Sequence, residues 1–253
     1  MGQIVFDNAV ILFDGAELSA DCNQVSIALS RALLNATVFG DLFNRNRAGL
    51  GTVDVSIEGF WNAGTNPDKV YPSLFNALGS SDKLLTVFAD GVTEGTATDK
   101  GMGLATTVAT FSPIRGTHGQ LLGFNGRFAG RGSTPVEAVT LKDSRSSFYG
   151  ATDSGTKFNV GAVTSTQYLY AGLHVIGYQG TSPTLDMRIQ SDANGSAGGE
   201  TTRITFTQVA GATSGQYATR VAGPITDAWW RADWTIGGSS NPGYKFLVWI
   251  AIK

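Results

Sequence analysis

The side chains of this 253-residue chain that could do nucleophilic, acid–base or metal chemistry are two histidines, His118 and His174, one cysteine, Cys22, and scattered acids. A metal centre needs several His, Cys or carboxylate ligands converging on one point. Neither histidine has a second ligand at such spacing. A Ser–His–acid triad is possible from the residue types alone, but no Gly-x-Ser-x-Gly turn offers a serine as nucleophile. Gly101-Met102-Gly103 begins like a dinucleotide loop, yet Thr106 stands where the third glycine belongs and no crossover helix follows. A P-loop is also missing. Asp54 and Glu58 alternate along a strand-like run, as solvated face residues do. These patterns predict a non-enzyme with no catalytic or metal site and no cofactor.

Aromatic residues are the remaining candidates. Trp229, Trp230 and Trp234 lie in one strand-like run, which sets Trp230 and Trp234 on one face and Trp229 on the other. Exposed, they would be stacking platforms of a carbohydrate-binding module. Buried, they fill a core or a subunit contact, where each covers a large area. The packing reading is preferred.

Those residues must be carried by strands. Glycine is abundant, at 33 residues, and charge is low, at 15%, which suits many short strands joined by tight turns. The net charge of −2 is unevenly spread: residues 1–130 hold 8 Lys/Arg and 12 Asp/Glu, residues 131–253 hold 10 and 8. No clustered basic stripe marks a nucleic-acid footprint. A single cysteine excludes an internal disulfide and fits a reducing compartment. The opening MGQIVFDNAVILFDG has no basic stretch, and its apolar run is too short for a signal segment or membrane span, so neither is expected.

Period-two alternation dominates. In Gln24–Ser30 and in Thr52–Glu58 the large apolar residues occupy every second position, giving strands with one dry and one wet side. Further strands are predicted at 8–14, 83–89, 104–111, 120–128, 136–141, 168–176, 184–190, 202–208, 216–221, 229–236 and 244–252. Turn pairs separate many of them: Asp90-Gly91, Asn125-Gly126, Asn194-Gly195, Gly237-Gly238 and Asn241-Pro242-Gly243. One segment breaks the rhythm. Tyr71, Leu74, Phe75 and Leu78 have helical spacing, with Asp68 placed to cap the start and Gly79 the end, predicting one short amphipathic helix near 68–78 packed across a sheet. The polar stretch Gly40–Gly51, with Arg45 and Arg47, predicts a long hairpin loop. The small residues Gly130–Thr134 predict a boundary between domains at 1–132 and 133–253, each a β-sandwich. The second is either a diverged duplicate or an outer domain, and no matching sequence period decides between them.

A longer pattern lies in residues 12–61. It comprises Leu12-Phe13-Asp14-Gly15, the alternating strand at 25–29, Asn35-Ala36-Thr37-Val38-Phe39-Gly40-Asp41, a basic loop ending Ala48-Gly49-Leu50, and Val53-Asp54-Val55-Ser56-Ile57-Glu58-Gly59-Phe60-Trp61. Together these resemble the tail tube (major tail) proteins of long-tailed bacteriophages, departing from their pattern at Asn35, where an acid is expected. Leu173-His174-Val175, Gly180–Leu185 and Trp230–Gly238 also look like phage structural proteins.

The resemblance implies an all-β, antiparallel sandwich or barrel-like fold with a flanking helix, found in the virion tail after assembly in the host cytoplasm. Its inner sheets would join edge to edge in a ring, and stacked rings would enclose a channel through which DNA passes without specific binding. Partners would be copies of itself and other tail proteins (tape measure, terminator and tip), with no membrane. A ring would hold either three two-domain subunits imitating six-fold symmetry or six subunits with the second half outside. Asp41, Leu42, Phe43, Asn44, Arg45, Asn46 and Arg47 would form the contact between stacked rings, and Asp54 and Glu58 are candidates for an acidic channel lining. A capsid decoration or fibre protein and a carbohydrate-binding module stay as alternatives.

Overall fold

The computed structural model describes residues 8–39, 42–62, 69–96, 101–131, 135–196, 198–217 and 220–253. The first half contains β1 (Val10–Phe13), β2 (Ala16–Glu17), β3 (Cys22–Asn35), β4 (Asn46–Phe60), α1 (Val70–Ala77), β5 (Lys83–Phe88), β6 (Gly101–Arg115) and β7 (Gly123–Gly130). The second contains β8 (Val136–Asp143), β9 (Asp153–Ser154), β10 (Phe158–Asn159), β11 (Tyr168–Asp192), β12 (Thr201–Thr205), β13 (Val209–Ala210), β14 (Ser214–Tyr217), β15 (Val221–Ala222) and β16 (Trp229–Ile252). The fold is all-β and its strand ladders are antiparallel.

In the first half, β6 changes partner along its length. Gly101–Thr106 pairs with β5, and Thr106–Arg115 pairs with β7 through two irregularities, at Val108/Thr110 and Ser112/Arg115. Such bulges bend a strand, and here they carry the sheet from β1-β5-β6 into β7-β4-β3 around a core of Phe13, Val55, Ile57, Leu104, Phe124 and Phe128. The alternation of residues 52–58 is realised: Val53, Val55 and Ile57 are buried while Asp54, Ser56 and Glu58 face outward.

Helix α1 closes this core with Val70, Leu74 and Ala77. Its apolar face is thus rotated from the one the spacing suggested. Tyr71 and Phe75 instead stack on each other at 5.2 Å and, with Trp61, form a half-open aromatic rim, while Leu78 is about half exposed. Asp68 lies outside the described residues; Lys69 is the N-cap and makes no side-chain cap bond. Gly79 does adopt positive φ, +77°, and its N–H donates to the Val108 carbonyl, pinning the chain to β6.

In the second half two expectations need correcting. The runs 168–176 and 184–190 are one 25-residue strand, β11, and 229–236 and 244–252 are one 24-residue strand, β16. They pair with each other from Leu169↔Ile252 to Asp192↔Trp229. The residues expected to reverse the chain instead bend the ribbon: Gly180, Ser182, Gly238, Ser240 and Asn241 all take positive φ, and register shifts fall between Val175 and Thr184. The ribbon folds over itself there. Leu169, Leu173 and Val175 from one wing share a core with Leu185, Met187 and Ile189 from the other. Asn125-Gly126 is likewise no turn but the middle of β7, where a Cβ on Gly126 would crowd Leu74 at 3.2 Å.

The run Phe246–Ile252 is apolar at every position because both its faces are covered. Phe246, Val248 and Ile250 enter the second core. Leu247, Trp249 and Ala251 enter a third layer with Val10, Leu12, Leu84, Phe88, Val136 and Ala138. That layer joins the halves, with β8 bridging β6 and β16.

A buried polar chain crosses the same junction. Trp249 Nε1–H donates to Thr86 Oγ1 at 3.0 Å, Thr86 Oγ1 meets His174 Nε2 at 2.8 Å, and His174 Nδ1 meets the Asp14 carbonyl at 2.8 Å. A carbonyl only accepts, so Nδ1 carries the proton and Nε2 accepts from the Thr86 hydroxyl. Every atom of the chain is satisfied only with a neutral imidazole, and burial pushes the His174 pKa down to about 4.

Candidate assembly surface

The hairpin β3–β4 leaves the body of the molecule. At its base, Val25 and Ile27 pack against the first core. Beyond Leu29↔Val53 the ladder continues to Asn35↔Asn46 with little cover on either face. The loop expected at Gly40–Gly51 is placed differently: Asn46, Arg47 and residues 48–51 are strand, and the described tip residues are 36–39 and 42–45. Asn35, where the resemblance leads one to expect an acid, closes the turn. Its Oδ1 accepts from the Thr37 N–H at 2.9 Å, and Thr37 Oγ1 accepts from the Arg45 N–H at 3.0 Å. A carboxylate could accept the first of these bonds equally well.

Of the expected contact residues, Leu42, Phe43, Asn44 and Arg45 lie on the tip and Asn46 and Arg47 open β4; Asp41 lies outside the described residues. The arm is unusually apolar. Leu29, Leu33, Leu34, Val38, Phe39, Leu42, Phe43 and Leu50 are all more than half exposed, Leu42 at 93% and Phe39 wholly so. Side chains of this size expose on the order of 1,000 Å² together, well above the few hundred Å² of a typical monomer's apolar patch. Among the described residues, β3 pairs with β4 alone, so its outer edge presents unpaired backbone groups over 14 residues.

Asp54 and Glu58 share the wet face of β4, each beside a cation. Arg127 donates to Asp54 Oδ1 from Nε at 3.1 Å and from Nη2 at 2.8 Å. Glu58 Oε1 accepts from Asn125 at 2.8 Å and from Arg115 at 3.4 Å. This face carries paired charge.

The tryptophans lie elsewhere. Trp230 and Trp234 are fully buried in the second core, with their indole N–H groups donating to the carbonyls of Gly161 (2.8 Å) and Ala151 (3.0 Å). Trp229 is half-buried on the opposite face, alongside Gly195. None of the three offers an open stacking surface. His118 sits on an exposed turn, and His174 is buried in the junction. The Cys22 thiol is pushed up to about 12, first by burial and then by Asp21. Among the described residues no group of three or more His, Cys, Asp or Glu is placed to hold a metal, and no helix is long and apolar enough to cross a membrane.

A second exposed apolar cluster was not singled out from the sequence. Ile114, Leu121 and Leu122 flank the β6–β7 turn, and Phe60 ends β4 beside them through the Phe60↔Gly123 pair. Of these, Phe60 and Leu121 line an open groove of about 410 Å³ together with Glu58, Arg115 and Gln120. The available signal was apolar residues set directly against turn chemistry, in Pro113-Ile114 and Leu121-Leu122.

No family model matches this chain, and no curated protein matches its sequence. Its structural neighbours are phage tail and hub proteins. A chain of the virion of a native gene transfer agent particle has TM-score 0.37 and 11% identity, covering 52% of this chain and 96% of that one. A chain from the tail of an empty gene transfer agent particle with C6 symmetry has TM-score 0.34 and 10% identity, covering 45% and 79%. The SPP1 Dit protein, described as a paradigm of the hub adsorption apparatus in phages of Gram-positive hosts, has TM-score 0.37 and 11% identity, covering 97% and 99%. At this degree of likeness the functional reading rests on the chain's own geometry.

Proposed function

We propose that this chain is a non-enzymatic structural subunit of a phage tail, assembling with copies of itself into rings of the tail tube. The arm carries the reading. A folded chain with two well-filled cores also holds out a bare strand edge and eight large apolar side chains. Such a surface is unfavourable in water and is relieved by association.

In this reading β3 pairs with a neighbouring subunit's sheet around the ring, and the tip meets the next ring. The wet face of β4 and β7 turns to the channel, where Asp54, paired with Arg127, gives passing DNA little net charge to bind, and the Glu58–Arg115 pair lies at the far end of that face. The second half, from about residue 133, decorates the outside. Among the described residues it has neither a helix nor a projecting apolar arm, so each chain supplies one ring-forming unit. With one such unit per chain, the six-fold ring implied by the tail-tube resemblance would hold six copies. The other partners are tail proteins that meet the ring faces, and the site of action is the virion.

Negative-stain microscopy with native mass spectrometry of the purified chain tests this. Rings or hollow tubes of six copies are expected. Three copies per ring would restore a duplicated, pseudo-six-fold subunit, and a monomer that stays monodisperse at all concentrations and salts would overturn the reading.

A further inference from the structure

The arm of one copy needs a receptor, and the sheet that bears the arm carries one at its other end. β4 starts at the tip, Asn46, and finishes at the groove, where Phe60 pairs with Gly123 beside the β6–β7 turn. The 15 residues of β4 separate the two by about 50 Å of strand. Because they face opposite ways along one strand, an arm cannot enter its own groove. It can enter that of a copy displaced along the strand axis.

We propose that the groove lined by Phe60 and Leu121 is the docking site for the arm tip of a second copy, chiefly Phe39, Leu42 and Phe43. This rests on the tube-subunit reading and adds the acceptor that reading lacks. The chemistry matches on both sides. Phe39, Leu42 and Phe43 are almost fully exposed on the tip, while Phe60 at 48% and Leu121 at 75% are the bare apolar side chains of the groove. The apolar area of the whole arm is comparable to the ~800 Å² per partner that a stable interface uses. Glu58 and Arg115 at the groove leave a polar rim around the apolar contact.

The symmetry follows from the placement. Two different patches at opposite ends of one sheet make a heterologous contact that repeats without closing. Rings joined in this way stack head to tail into a polar column. Arm-to-arm contact, in contrast, would pair two rings and stop.

Two variants test it on the full chain. Phe39→Ser with Phe43→Ser blunts the tip, and Leu121→Asp with Phe60→Ser blunts the groove; all four positions are exposed, so unfolding midpoints should be little changed. Each variant alone should form single rings, with the concentration needed for stacking raised at least tenfold. Mixed in equal amounts, they should give ring pairs that grow no further, since one intact arm meets one intact groove. A second readout uses Phe43→Cys chains mixed with Leu121→Cys chains, which should crosslink between copies under mild oxidation. If the groove variant stacks like the parent while the arm variant does not, and no crosslink forms, the arm docks elsewhere and this inference fails with the subunit reading intact. If the parent chain forms no ring at all, both fail.

Discussion

The molecule contains two long antiparallel ribbons with opposite fates. The β11–β16 ribbon bends at Gly180–Thr184 and Gly237–Tyr244, and its wings close on Leu173, Met187, Trp230, Trp234 and Phe246. The Tyr244 hydroxyl ties the corner by donating to the Pro183 carbonyl at 2.6 Å. The β3–β4 ribbon has register shifts at Cys22/Gln24 and Arg31/Leu33 but does not fold over itself, and Leu33, Leu34 and Leu50 stay in water. Strand pairing is common to both; what separates them is a cluster of left-handed residues at a corner. A ribbon that turns onto itself covers its own apolar face. One that does not must find another chain.

The comparison breaks most sharply by truncating equivalent apolar residues. Trp234→Ala in the closed ribbon should cost about 3–5 kcal/mol of unfolding free energy in urea, because it opens a cavity in the second core. Phe43→Ser in the open arm should change that free energy by no more than about 0.5 kcal/mol. If the arm substitution were as costly as the core one, the arm would be covered within its own chain.

Acid should act on the junction and spare the arm. His174 has a folded pKa near 4 against about 6.5 when unfolded, so between those values the unfolded chain takes up a proton that the folded chain refuses. Stability is full above pH 6.5 and falls by about 3 kcal/mol as pH drops to 4. Urea midpoints across that range should show the slope, and His174→Gln should lose this contribution from a lower starting stability. Next in size is the corner itself. Gly238 sits at φ +121° with Pro183 Cα 2.9 Å from where a Cβ would lie, so Gly238→Ala should cost about 1–3 kcal/mol by the same assay. The smallest effect belongs to the wet face. Asp54→Asn breaks an exposed pair with Arg127 and should shift stability by about 0.5 kcal/mol or less.

Much of the first half was legible. Strict alternation in 24–30 and 52–58 fixed which side chains of β4 are dry, and helical spacing followed by a glycine located α1 to within two residues. The ribbon was not legible, because glycine, asparagine and positive φ serve a corner inside a strand as well as a reversal between strands. The arm was read as a polar loop from Asp41, Asn44, Arg45 and Arg47. Its leucines and phenylalanines look the same in sequence whether covered or bare. A lone histidine such as His174 gives no sign that a hydroxyl and a carbonyl, from residues 88 and 160 positions away, meet its two ring nitrogens.

Amide hydrogen exchange over Ser26–Leu34, compared between assembled particles and dissociated chains, is the most direct measurement. If β3 finds its missing partner on a sister copy, exchange there is fast in the single chain and slows at least a hundredfold on assembly. Equal exchange in the two states would mean that the bare edge is left uncovered, and that the arm is not what holds copies of this chain together.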